Sequence, residues 1–158
     1  MAIELVRIDD RLIHGQVIVG WCPHIKPDRL ILCSDEVAKN DWERAIYEDA
    51  AADYQISICT VEETAKLLRS EELEQERIFL IVDSPRIVVE LLNLSVKISK
   101  VNVGGMHYDQ GKRQIAPFLF VNDIDLNYFR ILKNRNVVIE ARDVPSCKSI
   151  NVTELLGL

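Results

Sequence analysis

No apolar stretch in the 158 residues approaches the roughly 20 that a membrane helix requires. The opening residues Met1-Ala2-Ile3-Glu4 carry no basic flank and no signal-peptide core, so nothing in them directs export and a cytoplasmic location is expected. Six glycines and five prolines are too few for a fibrous or low-complexity chain. Positive charge is in deficit: 19 Lys+Arg against 25 Asp+Glu leave a net charge of −6, which argues against a general nucleic-acid binder. Small molecules or other proteins are the expected partners. The four cysteines, at 22, 33, 59 and 147, form no CxxC pair, and a disulfide framework is not expected. Cys33 and Cys59 close apolar runs and are expected to be buried thiols; Cys22 and His24 lack a second ligand pair, so no metal site is expected. Neither GxGxxG nor a P-loop occurs, which removes the common nucleotide fingerprints.

What the chain does have is 48% hydrophobic residues, ample for the core of one domain spanning 1–158. Short apolar runs alternate with amphipathic stretches and no repeat period or linker divides them. Runs 3–8, 29–33, 55–59, 78–82, 101–103, 115–121 and 137–139 read as strands, the sixth paired antiparallel through the turn Asp109-Gln110-Gly111-Lys112. Helices are expected over 15–22 (bounded by Pro23), 35–52, 60–69 behind a Thr60/Glu63 capping box, 84–94 with Ser84-Pro85 at its start, and 122–133 capped by Asn122 or Asp123. The residues after 139 read as an irregular tail. Strands apolar throughout, separated by helices, define a doubly wound, mostly parallel sheet of about seven strands with one antiparallel strand and helices on both faces. Ligands and chemistry in such folds gather at the carboxyl ends of the strands.

The loop after the first strand is dense in chemistry: Arg7-Ile8-Asp9-Asp10-Arg11-Leu12-Ile13-His14-Gly15-Gln16-Val17. His14 stands just ahead of a helix, where the dipole disfavours an imidazolium but favours an added anion. That position suits a neutral imidazole that becomes phosphorylated, with Arg11 on the phosphoryl oxygens and Asp9 or Asp10 orienting the ring or holding an arginine. A histidine that only caps a helix within a solvated turn is the bland alternative, and so is a general base in an unrelated α/β enzyme. Gly104-Gly105 ends another strand at the same sheet edge and either brings backbone N–H groups to a phosphate or permits a turn. His107 is the rival phosphorylation site but lacks the Asp/Arg company; Lys112 either offers charge to a partner or sits in a turn. Ser84 reads as a helix cap that could also touch the phosphoryl group, and Trp21 and Trp42 read as core residues.

The eleven residues 7–17 resemble the active-site loop of the IIB components of the mannose/fructose/sorbose family of the bacterial phosphoenolpyruvate-dependent sugar phosphotransferase system. The likeness continues through Gly20-Trp21, Lys26-Pro27-Asp28-Arg29-Leu30-Ile31, Asp35-Glu36-Val37-Ala38, Val101-Asn102-Val103-Gly104-Gly105-Met106, Gly111-Lys112 and Val144-Pro145, and so spans essentially the whole chain. It implies a phosphotransferase in which His14 takes a phosphoryl group from a phosphohistidine of a IIA domain. The group then passes to a sugar held by the membrane subunits IIC and IID. With this histidine as the acceptor, the residues themselves point to Arg11 and Asp10 acting with His14, supported by Asp9, Gly15, Gln16, Ser84, Gly104 and Gly105. No nucleotide, metal or organic cofactor is implied, and the chain meets the membrane only through its partners. The length leaves no room for a fused IIA domain, so a separate donor is expected; a homo-oligomer is left open. A regulatory phosphohistidine protein of the same fold is the alternative.

Overall fold

In the computed structural model, which describes residues 2–158, strand Arg77–Val82 (β4) buries every side chain from Ile78 onward and Arg29–Cys33 (β2) every side chain from Leu30 onward. Strands buried on both faces belong in the middle of a covered sheet. These two lie beside Ala2–Asp9 (β1), Gln55–Cys59 (β3), Lys100–Gly105 (β5), Val138–Ala141 (β8) and Ile150–Asn151 (β9), in the order β3-β2-β4-β1-β5-β8-β9. All neighbours run parallel except β8 and β9.

Alternate strand residues feed two cores. Ile31, Cys33, Ile78, Leu80 and Val82 face one side, under helices Val61–Arg69 (α4), Pro85–Asn93 (α5), Asp123–Asn134 (α6) and Val152–Leu156 (α7). Leu30, Leu32, Phe79 and Ile81 face the other, where they meet Val17, Trp21, Cys22, Ile25 and Val37. Those partners come from a π-helical turn Gln16–Trp21, helix Cys22–Ile25 (α1) and helix Asp35–Ala38 (α2); helix Asp41–Ala50 (α3) packs alongside through Tyr47. The chain leaves β1 toward β2 over the second face, whereas α5 carries β4 to β5 across β1 on the first. β1 therefore marks the point where the winding reverses, and its carboxyl end opens the crevice of the sheet.

Several local expectations change. The stretch 35–52 is two helices: Ser34 caps α2 through Val37 N, and Asn40, in extended conformation, starts α3 by accepting from Glu43 N. Helix 15–22 opens as a π-turn and continues past Pro23, which sits in the first turn of α1 where its missing N–H is no loss. The run 115–121 is a hairpin of its own, Arg113–Ala116 (β6) with Leu119–Val121 (β7), and not a strand of the main sheet. The antiparallel strand of that sheet is instead β9, within the stretch read as an irregular tail. Trp21 is buried, but Trp42 is 77% exposed on α3 and is no core residue. Cys59 is only half-buried. The capping boxes Thr60/Glu63 and Asn122/Asp125 open α4 and α6.

Candidate active site

A charged residue in the middle of a buried strand sets the site. Arg7 of β1 is fully buried. Its Nη1 donates to Asn102 Oδ1 at 2.7 Å and to the Arg142 carbonyl at 3.0 Å; its Nη2 donates to the Asp143 carbonyl at 2.9 Å and to Asp9 Oδ2 at 3.2 Å. The guanidinium carbon lies 5.1 Å from the Trp21 ring centroid, and Trp21 Nε1 donates to the same Asp143 carbonyl. Gly104 is required by this arrangement: a Cβ there would stand 1.9 Å from Arg7 Cζ.

Arg7 holds the carboxylate of Asp9, which is also fully buried. Asp9 Oδ1 accepts from the backbone N–H and the Nε of Arg11, at 3.1 and 3.2 Å; Oδ2 accepts from Arg11 Nη2 at 3.3 Å and faces His14 Nε2 at 2.8 Å. An ionised carboxylate only accepts, so His14 carries its proton on Nε2. The lone pair is then on Nδ1, to which the Gln16 backbone N–H points at 3.3 Å. The Gln16 side chain accepts from Arg11 Nη2 at 2.8 Å, which ties the start of the π-turn to the arginine. Leu12, at φ 59°, makes the bend that brings the chain back from Arg11 to His14. The His14 side chain is 18% exposed and that of Arg11 36%, so both groups open to solvent while their support is buried.

Burial alone would raise the Asp9 carboxyl, but hydrogen bonds from His14 and Arg11 and the charge of Arg7 outweigh it and hold the group at about 2. Burial lowers the Arg7 guanidinium from its ordinary value, opposed by the charge and hydrogen bond of Asp9. Each group stabilises the charged form of the other.

The remaining sequence candidates separate. Asp10 does not touch His14: its carboxylate takes the His107 backbone N–H at 2.7 Å on one oxygen and His107 Nδ1 on the other. Gly104 and Gly105 are strand residues of β5, not a turn, and Gly105 lies against Asp9, Arg11 and His107. Gly15 immediately precedes the π-turn with open space around it. Ser84 stands at the start of α5, beyond β4, yet its side chain makes no capping bond and its buried Oγ has no partner among the described residues. Lys112 pairs with Asp125 of the α6 capping box. Sequence reasoning passed over Arg7 and Asn102; an arginine inside Leu5-Val6-Arg7-Ile8 was the available signal, because a buried guanidinium demands a built partner set.

The chain belongs to the PTS system sorbose subfamily IIB components, whose family model matches residues 3–158. It is thus a phosphocarrier of the sugar phosphotransferase system, a phosphotransferase that passes phosphoryl groups toward sugar. It is 34% identical over 157 residues to the fructose-specific EIIB component of Bacillus subtilis (strain 168), covering 99% of this chain and 96% of that one. It is 33% identical to the mannose-specific EIIAB component of Escherichia coli (strain K12), across 99% of this chain and 49% of that longer protein. The crystal structure of the IIBSor domain of the sorbose permease from Klebsiella pneumoniae superposes with a TM-score of 0.94 at 30% identity, covering 99% of this chain and 97% of that one. No helix among the described residues is long and apolar enough to cross a membrane.

Proposed function

We propose that His14 carries the phosphoryl group, on Nδ1. The observation that supports this above all is the ring's pairing: Nε2–H is committed to buried Asp9, which leaves Nδ1 as the nitrogen with a lone pair, in a side chain that is 18% exposed. In the first step the P–N bond of a donor phosphohistidine breaks as a P–N bond to Nδ1 forms, and the Nε2 proton stays in place against Asp9. Arg11, beside the ring, stabilises the oxygens of the transferring group, and the Gln16 N–H is free to turn from the lone pair to one of them. In the second step the bond to Nδ1 breaks and one to a sugar hydroxyl oxygen forms, with the hydroxyl proton released. Arg7, Asn102, Gly104 and Gly105 act beneath these groups by holding Asp9 and Arg11.

The donor on this reading is a separate IIA protein, a role supported by the mannose-specific EIIAB relative, whose name joins the two components. The acceptor is a sugar held by the membrane subunits IIC and IID, and residues 1–158 act as one IIB domain in the cytoplasm. Incubation with phosphorylated IIA should place one acid-labile phosphoryl group per chain, mapped to His14 by mass spectrometry. Label that persists undiminished in His14→Ala refutes the assignment.

A further inference from the structure

Consecutive aspartates at the end of β1 back two different imidazoles. Asp9 takes Nε2 of His14; Asp10 takes Nδ1 of His107 and also its backbone N–H. The second pair therefore engages Nδ1 and leaves the opposite nitrogen, Nε2, as the one not committed to a carboxylate, with the residue also tied through its backbone N–H and its side chain 46% exposed. The ring is not remote from the first pair. A Cβ built on Gly105 would lie 3.1 Å from His107 Cε1, 3.1 Å from Asp9 Oδ1 and 3.3 Å from Arg11 Nη2. Three groups thus converge on the space that one glycine leaves empty, and Cε1 is the carbon between the two ring nitrogens, so the ring brings an edge to Asp9 and Arg11.

Resting on the assignment of His14 above, the geometry points to His107 as a second phosphoryl-binding residue, its Nε2–H joining Arg11 against the phosphoryl oxygens during transfer through His14. Asp10 holds the ring through Nδ1. The other charged groups facing it are Arg11, which opposes a positive imidazole, and Asp9, which is neutralised by Arg7 and Arg11. A phosphoryl group arriving on His14 adds negative charge beside this set and draws the proton onto Nε2. No proton leaves His14 in the process, and no covalent bond forms to His107.

The test uses the whole chain and phosphoramidate as the phosphoryl source. Imidazole resonances of His107 are followed against pH before and after phosphorylation, in the wild type and in His14→Ala. With His14 phosphorylated, the His107 midpoint should move up by about one pH unit, as for an imidazole gaining an anionic neighbour. In His14→Ala, phosphoramidate should leave it unmoved. Phosphorylation by phosphoramidate should also be roughly tenfold slower in His107→Ala, with most of the rate restored in His107→Gln, which keeps a donor N–H. A His107 titration that is the same with and without phosphoryl on His14 overturns the inference and leaves the His14 assignment standing. Phosphoryl found on His107 itself overturns it as well, and a wild type that takes no phosphoryl group at His14 overturns both.

Discussion

Replacing Asp9 by Asn keeps the shape of the side chain and removes the charge on which two cations and an imidazole converge. Five donor groups reach this carboxylate: Arg7 Nη2, the backbone N, Nε and Nη2 of Arg11, and His14 Nε2. An amide offers one oxygen and adds two N–H donors of its own, so several of these contacts become donor against donor. The larger effect falls on Arg7, fully buried and left without a counter-charge. Removing one partner of a buried pair costs roughly 3–5 kcal/mol, and the acceptors that Arg7 keeps at Asn102, Arg142 and Asp143 place this case at the lower end, about 3 kcal/mol. For a domain of this size that lowers the melting temperature by roughly 6–12 °C. Urea unfolding followed by circular dichroism should show the midpoint falling with little change in slope. Asp10→Asn is the control: its partner His107 is half exposed, and the loss should stay below about 1 kcal/mol. Equal losses in the two variants would refute the view that the Arg7–Asp9 pair is a buried foundation and Asp10 a surface contact.

The same carboxylate predicts an acid limb. Its folded value of about 2 lies below the ordinary 3.8, so the stabilisation is complete above about pH 4 and is lost as pH falls toward 2, where the unfolded chain binds the proton more readily. Unfolding free energy measured between pH 5 and 2 should fall by roughly 2 kcal/mol more in the wild type than in Asp9→Asn. Gly104→Ala should destabilise by about 2–3 kcal/mol, since its Cβ would displace the Arg7 guanidinium; Gly15→Ala, with nothing within 4 Å, should stay within about 0.5 kcal/mol in the same unfolding assay. Under a thiol reagent at pH 8, exposed Cys147 should react first. Cys22 and Cys33, buried and pushed up to about 11 and about 12, should react only on unfolding, a sequence of labelling that peptide mapping resolves.

The sheet was legible because its strands are short apolar runs, and the most apolar of them, β2 and β4, are buried on both faces. Period and caps located β1 to β5 and helices α4, α5 and α6 to within a residue or two, but not α7 in the tail. What escaped was decided by single polar side chains and by tertiary pairing. Asn40 restarts a helix through one hydrogen bond, and β9 pairs over two residues that carry no strand pattern of their own. In the site, the loop that bears His14 was legible from its charge density. The partition of labour between Asp9 and Asp10 was not, because β1 ends at Asp9 and the turn begins at Asp10, and only the fold says which imidazole each carboxylate meets. Arg7 was hidden for a related reason: its worth depends on carbonyls 135 and 136 positions away.

That long reach bears on how the protein comes into being. Arg7 finds two of its four acceptors only once residues 142 and 143 are in place, and until then Asp9 has a less firmly held neighbour. A chain that stops short of that turn lacks two of the carbonyls that hold the Arg7 guanidinium against Asp9. The turn at 142 and 143 thus closes the support of Asp9 from the far end of the chain, and the first strand is completed by residues that come near the last.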